Sequence, residues 1–185
     1  MDISSHALRK WLRDSGPLGP AVLGFARQLG GRSALGGRLF VLGPPEFEPW
    51  HFTRHLAENC HHEGRHDLIP HLLRWRIPDG APPHLATPVD QLFLVGPGDR
   101  CLAICPHPDP GPLVNLVATA RSRGATVLTT NRDGGPLATV GDHHLTVDRS
   151  CPLGEFDRAL HALATFAPLQ PSHGTHWWGR HSVSA

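Results

Sequence analysis

Residues 100–130 constrain the fold more than any other stretch of this chain. RCLAIC at 100–105 is a short continuous apolar run, the pattern of a strand buried on both faces. LVNLVATARSR at 113–123 carries apolar residues at helical spacing and is stopped by Gly124. ATVLTT at 125–130 is β-branched and apolar, and reads as the next strand. Strand, helix and strand in about thirty residues form a βαβ unit, whose strands are parallel and whose crossover is right-handed. A parallel pair of this kind needs helices on both faces of its sheet. The expected class is therefore α/β, a three-layer αβα sandwich with a mostly parallel sheet and N-terminal helices.

The same patterns extend to either side. Periodicity predicts helices over 6–13 and 18–29, broken at Gly16-Pro17 and Gly30-Gly31. RLFVLG at 38–43 is another buried strand, and Pro49 opens a helix over 50–62. Residues 64–90 are rich in Pro and His; 68–77 has room for one strand, and 91–95 fits strand or helix. Gly96-Pro97-Gly98-Asp99 is a turn. A helical turn at 137–140, a short strand at 144–147 and an amphipathic helix over 153–166, ended by Pro168 and Pro171, complete the order. A length of 185 residues, 39% hydrophobic and 18% charged, suits one globular domain over 18–170, preceded by an N-terminal helix in 1–17 and followed by a tail, 171–185.

Lys+Arg 17 against Asp+Glu 16 leaves a net charge of +1, no field to draw in nucleic acid or an anionic membrane. No apolar run approaches the roughly 20 residues of a membrane helix, and MDISSHALRK lacks the apolar centre of a secretory signal. A cytoplasmic protein without nucleic-acid or membrane partners is expected. Cys60, Cys101, Cys105 and Cys151 have no tight Cys-x-x-Cys spacing and read as buried thiols. Cys101 and Cys105 fall on one face of their strand. The 15 histidines open a metal or pH role for some positions and a surface or loop role for most. Trp177-Trp178, with His173, His176 and His181, is either a free end or a packed arm.

Taken in order, GRLFVLG, the HF at 51–52, the PGD at 97–99, VATARSRGATVLTTNRDGGPLA and DHHLTV resemble the sugar isomerase (SIS) domain, and within it the phosphoheptose isomerase type. The resemblance spans residues 20–166 and is strongest over 97–147. It implies a flavodoxin- or Rossmann-like sheet and a homodimer or homotetramer with active sites between subunits. Members of the family hold a sugar phosphate in a Ser- and Thr-rich loop leading into a helix start, where hydroxyls and free N–H groups meet the dianion. The matching loop here, 105–112, reads CPHPDPGP. It has no Ser or Thr, four prolines that donate no N–H, and Asp109 where phosphate would sit. The family's earlier glycine-rich loop is replaced by Gly43-Pro44-Pro45-Glu46-Phe47-Glu48. Both changes argue against ordinary sugar-phosphate isomerisation.

Phosphoheptose isomerases also carry a His and, four residues later, a Glu on the first core helix, with a Gln and a His on the last; zinc-containing members bind the metal there. By resemblance these positions fall on His51, His55, Asp157 and His161, while the family's final His aligns with Thr165. A spacing of four sets His51 and His55 on one helical face, with Glu58 nearby and His62 further along. The resemblance thus implies a mixed His/carboxylate site for a divalent ion, zinc by its ligand chemistry, with His55 and His161 as catalytic candidates. The other reading of the pair is two surface histidines on an amphipathic helix. His55 in place of Glu removes the group expected to shuttle the proton of an enediol isomerisation. Thr129, Thr130 and Asn131 lie at a strand end, where open α/β sheets bind ligands. With His107 and Asp109 they are candidate contacts for a sugar-like ligand. Two functions stay open: a divergent SIS protein that binds a carbohydrate-like ligand or serves in assembly, or a metal-dependent isomerase acting on a sugar-phosphate-like substrate through His51 and His55.

Overall fold

Every buried-strand pattern becomes a strand of one parallel sheet. The computed structural model describes residues 3–31, 35–81, 87–107 and 111–170; Asp109 and the tail 171–185, with its two tryptophans, lie outside the described residues. The strands are β1 (Leu39–Leu42), β2 (Pro70–Leu72), β3 (Arg100–Cys105), β4 (Thr126–Asn131) and β5 (His143–Thr146), in the order β2-β1-β3-β4-β5. Successive side chains point to opposite faces. Leu39, Val41, Leu102, Ile104, Leu128 and Leu145 therefore enter one core, and Phe40, Leu42, Cys101, Ala103, Cys105 and Val127 enter the other. Cys60 and Cys101 are buried thiols, each pushed up to about 12 by removal from water, so neither is a thiolate near neutrality.

The helices are α1 (Ile3–Asp14), α2 (Leu18–Gly30), α3 (Trp50–His62), α4 (Gly111–Ser122), α5 (Gly135–Val140) and α6 (Leu153–Phe166). α1, α2, α3 and α6 cover the first core; α4, α5 and a 3₁₀ turn at Val89–Leu94 cover the second. These are the three expected layers. The stripe Phe52, Leu56 and Cys60 turns α3 toward the sheet, and Phe156, Leu160 and Leu163 do the same for α6. α1 is part of the same body, since Leu8 and Leu12 sit in the first core and the Trp11 indole donates to Glu155 Oε2 at 2.7 Å.

Two segments differ from their expected form. The strand expected within 68–77 shrinks to Pro70–Leu72, extended by one bond from Leu73 N–H to the Val41 carbonyl at 2.8 Å. Residues 91–95 are neither strand nor α-helix but the end of the 3₁₀ turn. Both lie where prolines interrupt periodicity, so pairing with β1 and burial of Leu92 decide the local conformation.

Two arginines close the end of the sheet where the strands begin. Arg100 and Arg65 retain 5% and 7% exposure. Arg100 Nη1 donates to the Leu29 and Gly31 carbonyls at 2.7 and 2.6 Å, and Arg65 Nη2 to the Gly30 carbonyl at 2.7 Å, so the orphan carbonyls at the end of α2 are satisfied. Arg65 also reaches the Pro168 and Gln170 carbonyls beyond α6, and its charge is met by Asp67 at 3.0 Å. Gly30 is required between these elements, because a Cβ there would fall on the Ala167 carbonyl.

Candidate functional site

In this topology the chain passes from β1 out to β2 and then back across β1 to β3. The switch in strand order lies between the C-terminal ends of β1 and β3, where α/β sheets open a crevice. On its β1 side the loop after β1 is folded on itself and packed against the segment that follows β2. The Phe47 N–H donates to the Pro44 carbonyl at 3.0 Å, folding the first loop on itself, and the Trp75 indole donates to the Gly43 carbonyl at 2.7 Å. A Cβ on Gly43 would meet the Phe47 carbonyl, so the loop admits no larger residue there. The space left beside Gly43, Pro44 and Trp75 is about 60 Å³. On the second loop His107 is exposed, and its carbonyl accepts from Cys105 Sγ at 2.9 Å.

The strand-end side chains expected to face a ligand are turned into the protein. Thr129, Thr130 and Asn131 are all buried. Thr129 Oγ1 and His144 Nδ1 are 2.7 Å apart, and His144 Nε2 lies 2.9 Å from Thr146 Oγ1. Asn131 Oδ1 accepts from the Gly134 N–H at 2.9 Å while its Nδ2 donates to the Gly134 carbonyl at 2.8 Å, which shapes the loop into α5. The Thr130 hydroxyl is buried without a hydrogen-bond partner. The cause is the sheet itself: β4 has β3 on one side, β5 on the other and helices over both faces, so its last residues are enclosed.

A different cleft brings the histidine candidates together. α3 starts after Pro49, whose carbonyl accepts from both the N–H and the hydroxyl of Thr53 at 3.0 and 2.8 Å. With Phe52 and Leu56 directed inward, His51 and His55 remain on the outer face. α6 lies alongside, and its inward Phe156 and Leu160 leave Asp157 and His161 facing α3. Asn59 Nδ2 ties the two helices further down by donating to the Ala164 carbonyl at 3.1 Å. Between them opens a cleft of about 360 Å³ with an apolar floor of Phe47, Pro49, Phe52, Leu160 and Ala164, and a rim of Glu48, His51, His55, Asp157 and His161.

Electrostatics in the cleft are set by neighbours on both helices. The His55 and His161 rings meet edge to face, 5.1 Å between centroids. Partial burial, and then the nearby His55, push the His161 imidazole below its ordinary value. His55 Nδ1 lies 3.8 Å from Glu58 Oε2, and Glu58 is held below the usual carboxylate range by its hydrogen bond from Arg54 at 2.8 Å. Glu48 is paired with Arg74 at 3.0 Å. His62 stands at the far end of α3, beside Glu63 at 3.9 Å, and does not line the cleft. Thr165 donates its hydroxyl to the His161 carbonyl at 2.9 Å.

His51, His55, Asp157 and His161 thus share one cleft, although His55 and His161 are 106 positions apart in the chain. Three imidazoles and a carboxylate are the donor types a divalent ion takes. Among the described residues, however, no three His, Cys, Asp or Glu side chains stand grouped as a ready metal site. Residue spacing did not disclose the floor: Phe47 and Phe52 flank Pro49, but nothing local tells that Leu160 and Ala164 complete it.

No protein-family model matches the chain, and no curated protein matches it. Its fold is found among solved structures. The sugar isomerase domain of an RpiR transcription factor from Sphaerobacter thermophilus superposes with a TM-score of 0.53 at 17% identity, over 82% of this chain and 80% of that one. The NanR protein of Vibrio vulnificus, solved in complex with ManNAc-6P, gives a TM-score of 0.53 at 15% identity over 90% of this chain, which spans 59% of NanR. No helix among the described residues is long and apolar enough to cross a membrane. With a five-stranded parallel sheet flanked by helices and these neighbours, the chain has the fold of the sugar isomerase domain.

Proposed function

We propose that this chain is a divergent SIS-fold protein that binds a carbohydrate-like ligand in the α3–α6 cleft, for sensing or assembly and not for ordinary sugar-phosphate isomerisation. One observation carries the reading: the cleft offers about 360 Å³ with two phenyl rings under a polar rim, against about 60 Å³ beside the first proline loop. Apolar floors with a few polar groups above them suit the mixed surface of a sugar ring. NanR, of the same fold, is a protein solved with a sugar phosphate, which supports the ligand class in its sugar part. The prolines and carboxylates of both loops disfavour the phosphate. Calorimetric titration with N-acetylmannosamine and with its 6-phosphate tests this; the expected result is binding that does not depend on the phosphate and that weakens in His55→Ala. Tighter binding of the phosphate ester by tenfold or more, undisturbed in His55→Ala, would reject it. A homodimer or homotetramer belongs to this reading, and a monomer by light scattering counts against that part.

A second reading is favoured by the meeting of four metal-type donors in one cleft. His51, His55, Asp157 and His161 would hold a divalent ion, most naturally zinc, and the protein would act as an isomerase on a sugar-phosphate-like substrate. A bound ion supplies polarisation of a carbonyl or hydroxyl oxygen. Whichever of His55 and His161 is left off the ion would hold and move the proton. Turnover of sedoheptulose 7-phosphate that is lost in His55→Ala establishes this reading over the first. Metal analysis of untagged protein that finds well under one ion per chain defeats it.

A further inference from the structure

A second cavity opens on the other flank of α6. Between α1 and α6 lies a space of about 610 Å³, bordered by Lys10, Trp11 and Asp14 from α1 and by Arg158 and His161 from α6. His161 is shared: it stands on the rim of the α3–α6 cleft and also lines this cavity. The new cavity is organised before any ligand arrives. The Trp11 indole N–H donates to Glu155 Oε2 and Arg158 Nη1 to Glu155 Oε1, each at 2.7 Å, so one carboxylate holds both groups. With its only donor used, the half-buried Trp11 has ring surface to offer and no free polar atom. Arg158, whose side chain is 61% exposed, keeps donors outside that bond. Burial, and then His55, hold the His161 imidazole below its ordinary value, so near neutrality the ring is uncharged, with one donor and one acceptor nitrogen.

We propose that the two cavities are adjacent subsites for one oligosaccharide, with one sugar unit in the α3–α6 cleft, the next on Trp11, and His161 at the link between them. Carbohydrate binding in the α3–α6 cleft is the premise; the addition is that the ligand has at least two units, since a monosaccharide in the cleft leaves Trp11 unused. An indole beside a guanidinium, an ammonium and a carboxylate suits a sugar ring, whose C–H face lies on the aromatic surface while its hydroxyls reach the charged groups. Charges of both signs, Lys10 and Arg158 with Asp14, suit neutral hydroxyls better than a single anionic group. His161, with a donor and an acceptor nitrogen between the two cavities, has partners to offer the hydroxyls of both units.

A glycan array of mono- to tetrasaccharides, followed by calorimetric titration of the best binder and of its single units, tests this in the full-length protein. The oligosaccharide should bind about tenfold more tightly than any of its units. Trp11→Ala should remove that gain and leave the affinity for the single unit as it was, Trp11→Phe should keep most of the gain, and His55→Ala should weaken both. Arg158→Ala, at an exposed position, should lose part of the gain and serves where Trp11→Ala does not fold. Equal affinity for oligosaccharide and unit overturns the proposal and leaves the reading of the α3–α6 cleft standing. So does a gain that survives in Trp11→Ala, or in Arg158→Ala where the tryptophan variant is unfolded. Binding to no sugar on the array overturns both.

Discussion

At the strand-end crevice the polar groups meet one another: Trp75 holds the Gly43 carbonyl, Asn131 holds both backbone groups of Gly134, and Thr129 faces His144. In the α3–α6 cleft the polar groups face space, with His51, His55, Asp157 and His161 set above an apolar floor. Both regions carry residues of the types that bind ligands, so residue type does not separate them. With the buried Thr130 hydroxyl as an exception, what separates them is whether hydrogen-bonding capacity is already used inside the fold. A buried, paired side chain shapes a loop; an exposed one beside a cavity is available to a ligand.

Phe52 gives the largest expected effect, because it is both core and cleft floor. Phe52→Ala should cost about 3–5 kcal/mol in urea unfolding and abolish ligand binding together with it. Loss of stability without loss of binding would show that the ligand rests elsewhere. Asn131→Ala should destabilise by about 1–3 kcal/mol through the abandoned backbone groups of the loop into α5, while titration with N-acetylmannosamine stays unchanged. The reverse pattern, normal stability and lost binding, would move the ligand to the strand ends and invert the comparison. His55→Ala and His161→Ala, on the outer faces of their helices, should each change stability by no more than about 0.5 kcal/mol. Each should weaken ligand binding by about tenfold, equivalent to about 1.4 kcal/mol.

The smallest effect is a pH dependence. Burial lowers the His71, His144 and His161 imidazoles from their ordinary values, with Arg38 lowering His71 further and His55 lowering His161 further. The unfolded chain then binds protons more readily than the folded one below about pH 6.5. Stability should rise as pH increases through that value and fall as pH drops toward the lowered folded values. Comparing His161→Gln with the parent from pH 5 to 8 checks the share that belongs to the cleft: the slope should flatten in the variant. An unchanged slope assigns the dependence to His71 and His144.

The fold was legible to the residue in places. The strand at 100–105 and the helices at 50–62 and 153–166 have the bounds that apolar pattern, proline and glycine suggest. Those signals act within a few residues, and tertiary packing agrees with them there. Between 64 and 95 they conflict or are missing, and the chain took a three-residue edge strand and a 3₁₀ turn imposed by β1 and by the burial of Leu92. In the candidate site, the spacing of His51 and His55 was enough to put them on one side of α3. Thr129, Thr130 and Asn131 were placed correctly at a strand end, but their enclosure depends on β5 and on the helices over both faces of the sheet, which lie elsewhere in the sequence.

The sequence by itself determined a layered α/β chain, its principal helices and strands, and two proline-rich loops without Ser or Thr, because periodicity, proline and missing hydroxyls are local properties. Only the tertiary structure decided that α6 lies beside α3 with His161 against His55, and that Trp75, beyond β2, packs on the loop after β1. Those contacts join residues far apart in the chain, and their energy comes from surfaces that exist only after the sheet has brought the helices together.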